Sequence, residues 1–103
     1  MSWAKVGSLD SLPRDQGLLY EDGELRIALF RVDDAVYAIG DRCSHAEASL
    51  SEGELFDDEV ECPRHGAVFD VTSGEPLSLP ATAPVPTYAV KVEEGDVYVE
   101  VAS

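Results

Sequence analysis

Apolar residues recur at every second position over much of this chain, and no stretch repeats them with the 3.6-residue period of a helix. Trp3-Ala4-Lys5-Val6 reads as a first strand, and Gly7 to Pro13 as a turn-rich loop. Gly17-Leu18-Leu19-Tyr20 is a short strand that ends at Glu21-Asp22-Gly23. Residues 24–32 then alternate, with Leu25, Ile27 and Leu29 on one face and Arg26, Ala28 and Phe30 on the other. Asp33-Asp34 turns the chain into Ala35-Val36-Tyr37-Ala38-Ile39 and completes a hairpin. From Gly40 to about Pro80 the alternation weakens. Gly53, Gly66 and Gly74 punctuate this stretch, and only a weak strand at Glu59-Val60-Glu61 interrupts it. Past Pro84-Val85-Pro86 the pattern returns. Tyr88, Val90 and Val92 share a face, Glu94-Gly95 makes a turn, and Val97, Val99 and Val101 line a second inward face.

These elements predict an all-β fold, a small antiparallel sandwich or barrel with an irregular segment inserted between its strands. The expected core is Trp3, Val6, Ile27, Leu29, Val36, Ile39, Tyr88, Val90, Val92, Val97 and Val99. One domain of 103 residues accommodates this plan, with residues 1–40 and 82–103 as a β base and residues 41–81 as the inserted segment.

Composition narrows the class. With 45% hydrophobic residues the chain is expected to be globular rather than disordered. No apolar run approaches the roughly 20 residues of a membrane-spanning helix. Met1-Ser2-Trp3-Ala4-Lys5 lacks the apolar h-region of a signal peptide, which points to the cytoplasm. Twenty-one acidic residues stand against seven basic ones, for a net charge of −14. Such a surface makes nucleic acid a poor partner. It keeps the protein soluble and can steer it towards basic faces on transient partners. Arg42 and Arg64 are placed differently: each directly precedes or follows a residue of candidate chemistry.

That chemistry lies in two short motifs, Cys43-Ser44-His45 and Cys62-Pro63-Arg64-His65, which hold every cysteine and histidine of the protein. Sixteen residues separate His45 from Cys62. Two thiolates and two imidazoles presented as C-x-H and C-x-x-H form a four-ligand metal set. A [2Fe–2S] cluster with two His in place of two Cys on one iron uses this set. Zinc also accepts Cys₂His₂. Zinc knuckles more often open with C-x-x-C and occur in basic nucleic-acid binders, unlike this acidic chain. Two unrelated thiols and two surface histidines form the remaining possibility.

The surrounding residues extend the pattern. The first motif continues as Ala46-Glu47-Ala48-Ser49-Leu50-Ser51-Glu52-Gly53, and the second as Gly66-Ala67-Val68-Phe69-Asp70, then Thr72-Ser73-Gly74. Leu79-Pro80-Ala81 follows where a proline loop would lie. In these residues the chain resembles the Rieske family, and its flanks resemble the rest of a small Rieske ferredoxin. The resemblance implies one [2Fe–2S] cluster held by Cys43, His45, Cys62 and His65, the cysteines on a buried iron and the histidines on the outer one. It makes residues 41–81 the cluster-binding segment. Gly66 is then expected to let backbone N–H groups approach cluster sulfur. Pro80 either shields the cluster or stiffens its loop, and Glu47 is a solvated charge.

The chain departs from high-potential members of the family. It has no third cysteine for a disulfide between the cluster loops, and Ala67 and Phe69 stand where those members place Ser and Tyr hydroxyls. Fewer donors to cluster sulfur imply a potential in the lower part of the Rieske span, roughly −150 to 0 mV. The resemblance thus implies an electron-transfer component rather than an enzyme, because the four ligands leave no open catalytic position. The expected role is a soluble, cytoplasmic, monomeric one-electron carrier. It would take electrons from a flavin-dependent reductase and pass them to a terminal oxygenase such as an aromatic-ring dioxygenase, through transient electrostatic contacts. Other readings are an accessory Rieske protein linked to iron–sulfur assembly, the small subunit of an assimilatory nitrite reductase, and a zinc-bound interaction module.

Overall fold

The computed structural model of the chain describes residues 2–13, 16–42, 48–64, 66–78 and 83–101. The fold is all-β and antiparallel. Its strands are β1 (Ser2–Ser8), β2 (Leu18–Asp22), β3 (Leu25–Val32), β4 (Ala35–Gly40), β5 (Leu55–Phe56), β6 (Glu59–Glu61), β7 (Val68–Asp70), β8 (Thr87–Tyr88), β9 (Val90–Glu93) and β10 (Asp96–Val101). They form three sheets, ordered β1-β10-β9, β2-β3-β4-β8 and β5-β6-β7. Single 3₁₀ turns follow β1 at Leu9–Ser11 and precede β5 at Leu50–Glu52. Among the described residues no helix is long and apolar enough to cross a membrane.

The β2-β3-β4-β8 sheet is the middle layer. Ile27 and Leu29 of β3, with Val36 and Ala38 of β4, pack on Val97, Val99 and Val101 of the first sheet. Ala28 and Phe30, with Ile39, face the other way, onto Leu50, Leu55, Val60, Cys62, Ala67, Phe69, Val71 and Val85. A strand covered on both faces has no polar side, which explains the near-continuous apolar run in β3. Of the expected core, Ile27, Leu29, Val36, Ile39, Val97 and Val99 are buried. The second apolar layer, built around Phe30 and Phe69, goes beyond that expectation.

Two expected core residues are corrected. Trp3 is 40% exposed and Val92 is 41% exposed. Trp3 pairs with Glu100, and Tyr98, two residues earlier on β10, pairs with Lys91. This is the outer face of the sheet, and the Lys91 ammonium lies 4.6 Å from the Trp3 ring centre. Trp3 and Val6 cannot share a face in a regular strand, and a register shift between Lys5 and Gly7 marks where β1 departs from regularity. Val92 pairs with Val97 near the end of edge strand β9 and lacks a further layer over it. The expected loop at Gly7 to Pro13 is shorter than predicted. Gly7 and Ser8 still pair with Val97 and Asp96, and Leu12 is buried beyond the 3₁₀ turn.

The inserted stretch also holds more order than its pattern suggests. The weak strand at residues 59–61 is the centre of a sheet, with Val60 paired to Leu55 on one side and Phe69 on the other. Strands of two or three residues suffice because the sheet is capped by main-chain bonds from its loops. Asp70 N–H donates to the Glu75 carbonyl at 2.9 Å, and Leu77 N–H to that of Val68 at 2.7 Å.

Candidate metal centre

Of the four predicted ligands, Cys62 lies within the described residues; Cys43, His45 and His65 lie outside them, as do Glu47 and Pro80. Among the described residues no three His, Cys, Asp or Glu side chains gather at one point. What the structure does show is how the chain enters and leaves the two ligand motifs.

Strand β6 delivers Cys62. Its side chain is fully buried and is not in a disulfide. The Cys62 N–H donates to the Ala67 carbonyl at 2.6 Å, and the Gly66 N–H to the Cys62 carbonyl at 3.0 Å. These two bonds close a tight turn that carries Pro63 and exposed Arg64 at its tip. Gly66 has φ +73°, where a side chain is disfavoured, and its own N–H is committed to Cys62. The turn itself therefore accounts for this glycine. The expectation that it frees backbone N–H groups for sulfur does not extend to its own.

The chain around the first motif is held by Asp41. Its side chain is 1% exposed. One carboxylate oxygen accepts the Ser51 N–H at 2.9 Å, and the other accepts the Ser49 hydroxyl at 2.6 Å and an Arg26 guanidinium N–H at 3.4 Å. The Asp41 carbonyl accepts the Leu50 N–H at 2.7 Å, and its N–H donates to the Arg26 carbonyl at 3.1 Å. Arg42 and Ser49 form an isolated antiparallel bridge. Ser49 and Ser51 hydroxyls lie 2.8 Å apart. Sequence reading did not single out this network. The available signal was three short polar residues, Asp41, Ser49 and Ser51, bracketing the C-x-H motif.

The described residues that flank the two motifs are brought together. Ala48, the first described residue after the first motif, packs on the cluster that contains Leu50, Cys62, Ala67 and Phe69. Closer in, a Cβ on Gly53 would overlap the Glu61 carbonyl oxygen, so the Leu50–Glu52 turn sits directly on the strand that delivers Cys62. A buried free thiol at an apolar floor, beside the exit of a second Cys/His motif, fits a metal–sulfur group, which needs a thiolate ligand and exclusion of water. Ala67 and Phe69 are fully buried there and offer no side-chain donor.

Charge is distributed unevenly. Lys5, Arg26, Arg31 and Lys91 form ion pairs with Asp96, Asp41, Asp34 and Glu93. Arg42 and Arg64 are exposed and form no ion pair among the described residues.

The comparisons agree with this geometry. A model of the Rieske [2Fe-2S] domain matches residues 2–89. The 3-phenylpropionate/cinnamic acid dioxygenase ferredoxin subunit of Escherichia coli (strain K12) is 56% identical over 75 residues, covering 72% of this chain and 71% of that protein. Ferredoxin CarAc of Metapseudomonas resinovorans is 44% identical over 98 residues, covering 94% and 92%. A chain of the solved complex of reduced oxygenase and oxidized ferredoxin in carbazole 1,9a-dioxygenase superposes with a TM-score of 0.90 at 42% identity, covering 94% of this chain and 91% of that one.

Proposed function

This chain belongs to the Rieske [2Fe–2S] domain family, and from that premise we propose that it is the ferredoxin component of a ring-hydroxylating dioxygenase system. It is an electron-transfer component, carries one [2Fe–2S] cluster, and passes single electrons to a terminal oxygenase. A flavin-dependent reductase supplies them. The protein works as a cytoplasmic monomer, and its encounters are transient and electrostatic.

Cys43, His45, Cys62 and His65 hold the cluster. Bound there, the cluster supplies a one-electron couple whose potential is raised above all-cysteine centres by its two neutral imidazole ligands. The protein contributes the rest. Leu50, Ala67 and Phe69 form an apolar floor with buried Cys62. The Cys62–Ala67 main-chain bonds fix the second ligand turn, and the Asp41 network fixes the chain on either side of the first. The absence of hydroxyl donors at Ala67 and Phe69 keeps the potential low. Arg42 and Arg64, adjacent in sequence to ligands, reduce the acidity of the docking face on a chain of net charge −14.

The observation that carries this reading is the buried, disulfide-free Cys62 in the same apolar cluster as the exit of the C-x-H motif. All the histidine and cysteine of the chain are then used as ligands, which leaves none for catalysis. The test is direct electron transfer. Reduced protein mixed anaerobically with an oxidised terminal oxygenase of a ring-hydroxylating system should regain its visible absorbance in a stopped-flow trace. Protein that shows the cluster spectrum yet stays reduced against a panel of such oxygenases would remove the oxygenase-feeding role.

A further inference from the structure

We propose that Asp41 is a positioning residue for the cluster: it locks the neck of the loop that carries Cys43 and His45 and so governs how firmly the cluster is retained. This rests on the ligand assignment above. A carboxylate buried to 1% exposure is costly unless it is fully paired. Here its partners are not scattered. Ser49, Leu50 and Ser51 all belong to the chain leaving the loop, and Arg26 belongs to β3. One residue therefore ties the entrance of the loop to its exit and both to the middle sheet. The neck encloses six residues, 43–48, of which two are the assigned ligands.

The chemistry requires a carboxylate. Three donors converge on two oxygens, the Ser49 hydroxyl, the Ser51 N–H and the Arg26 guanidinium. An amide would present one oxygen, and would turn its N–H₂ either towards the Ser51 N–H or towards both the Ser49 hydroxyl and the guanidinium. Among the described residues, the second ligand turn has no such side-chain lock; its bonds are main-chain ones, Cys62 N–H to Ala67 and Gly66 N–H to Cys62. Beyond the ligands themselves, buried side-chain bonds lock the neck of the first motif, whereas main-chain bonds close the second.

The experiment uses the full cluster-loaded chain. Asp41→Asn and Ser49→Ala are compared with wild type for the rate at which excess chelator bleaches the visible bands, and for the electron paramagnetic resonance g-values of the reduced protein. Asp96→Asn, which loses only the Lys5 pair in the outer sheet, is the control. Asp41→Asn should bleach roughly tenfold faster, the equivalent of one lost hydrogen bond to a charged group, with shifted g-values. Ser49→Ala should move in the same direction by less, and Asp96→Asn should not move. Wild-type bleaching and g-values in both neck variants, whatever their thermal stability, would overturn the proposal. If Asp41→Asn does not fold, Ser49→Ala decides alone: faster bleaching supports the lock and a wild-type rate overturns it. A wild-type protein without the signature of a two-histidine [2Fe–2S] centre would instead overturn the ligand assignment, before any substitution is made.

Discussion

The two faces of the middle sheet do different work. On one, Ile27, Leu29, Val36 and Ala38 meet Val97, Val99 and Val101 in a core of aliphatic residues supplied by long, regularly paired strands. On the other, Ala28, Phe30 and Ile39 meet residues from two- and three-residue strands and their loops, and that core includes Cys62, the proposed ligand. The first face is built on alternating strand positions, none of them a candidate ligand. The second is held by turns, a locked neck and, in the cluster-loaded protein, metal–ligand bonds. One sheet separates the two cores, and only the second contains a residue assigned to the cluster.

The largest expected effect breaks only one side of this contrast. Cys62→Ala should abolish the [2Fe–2S] centre, with loss of its visible bands and of its resonance signal, because the chain holds no spare cysteine or histidine. Amide exchange should still find Ile27, Leu29, Val97 and Val99 protected, while Val60 and residues 68–70 lose protection. Uniform loss of protection across both faces would show that the sheets do not act separately.

Next come matched cavities. Leu29 and Leu50 are both fully buried, one on each face. Replacing either with Ala should cost about 2–5 kcal/mol in denaturant unfolding. Leu50→Ala alone should also hasten cluster loss, since Leu50 packs in the cluster that includes Cys62 and its N–H bonds the Asp41 carbonyl. Equal bleaching of the two variants would place the cluster's support in the whole fold rather than in its own layer.

A smaller change sharpens the redox side. The wild-type potential is expected at roughly −150 to 0 mV. Phe69 is fully buried beside Cys62 in the apolar floor, so Phe69→Tyr brings a hydroxyl where no donor now stands. If it bonds cluster sulfur it should raise the one-electron potential by about 40 mV, the equivalent of a hydrogen bond worth about 1 kcal/mol. Voltammetry reads this directly, and an unchanged potential with an intact cluster would separate Phe69 from the tuning of the site.

The same contrast explains what the sequence disclosed. The base was legible because half-buried strands leave a period of two: residues 35–39 and 97–101 were placed to within a residue or two, whereas the run from Tyr88 to Val92 is divided at Ala89 between two sheets. The candidate ligand motifs stood out because C-x-H and C-x-x-H are rare and chemically specific; of their four residues the structure describes Cys62, buried and free. The apolar floor was not, because Leu50, Val60, Ala67, Phe69 and Val71 sit in strands too short to show a period. The Asp41 lock was hidden for a different reason: a buried carboxylate is recognised by its partners, and those are eight and ten residues away. Within the base, the expected core reversed the facing of Trp3: three positions apart, Trp3 and Val6 fall on opposite faces of a regular strand, and Ala4 and Val6 are the residues of β1 that pack inward.

That reversal gives the smallest and most decisive expectation for the base. A Trp in the aliphatic core, as the pattern alone suggested, would lose about 3–5 kcal/mol on truncation to Ala. On the outer face Trp3 is 40% exposed and its main specific contact is the Lys91 ammonium 4.6 Å from its ring, with Lys91 also 5.5 Å from the Tyr98 ring. A cation–π contact this exposed contributes about 0.5–1 kcal/mol. Lys91 keeps its Glu93 partner at 3.0 Å and the Tyr98 ring when Trp3 is removed, so no buried charge is stranded. Trp3→Ala should therefore lower the denaturant unfolding free energy by about 1 kcal/mol, and leave cluster bleaching and potential at wild-type values. A loss of about 3 kcal/mol or more would return Trp3 to the core and reverse the assigned facing of β1.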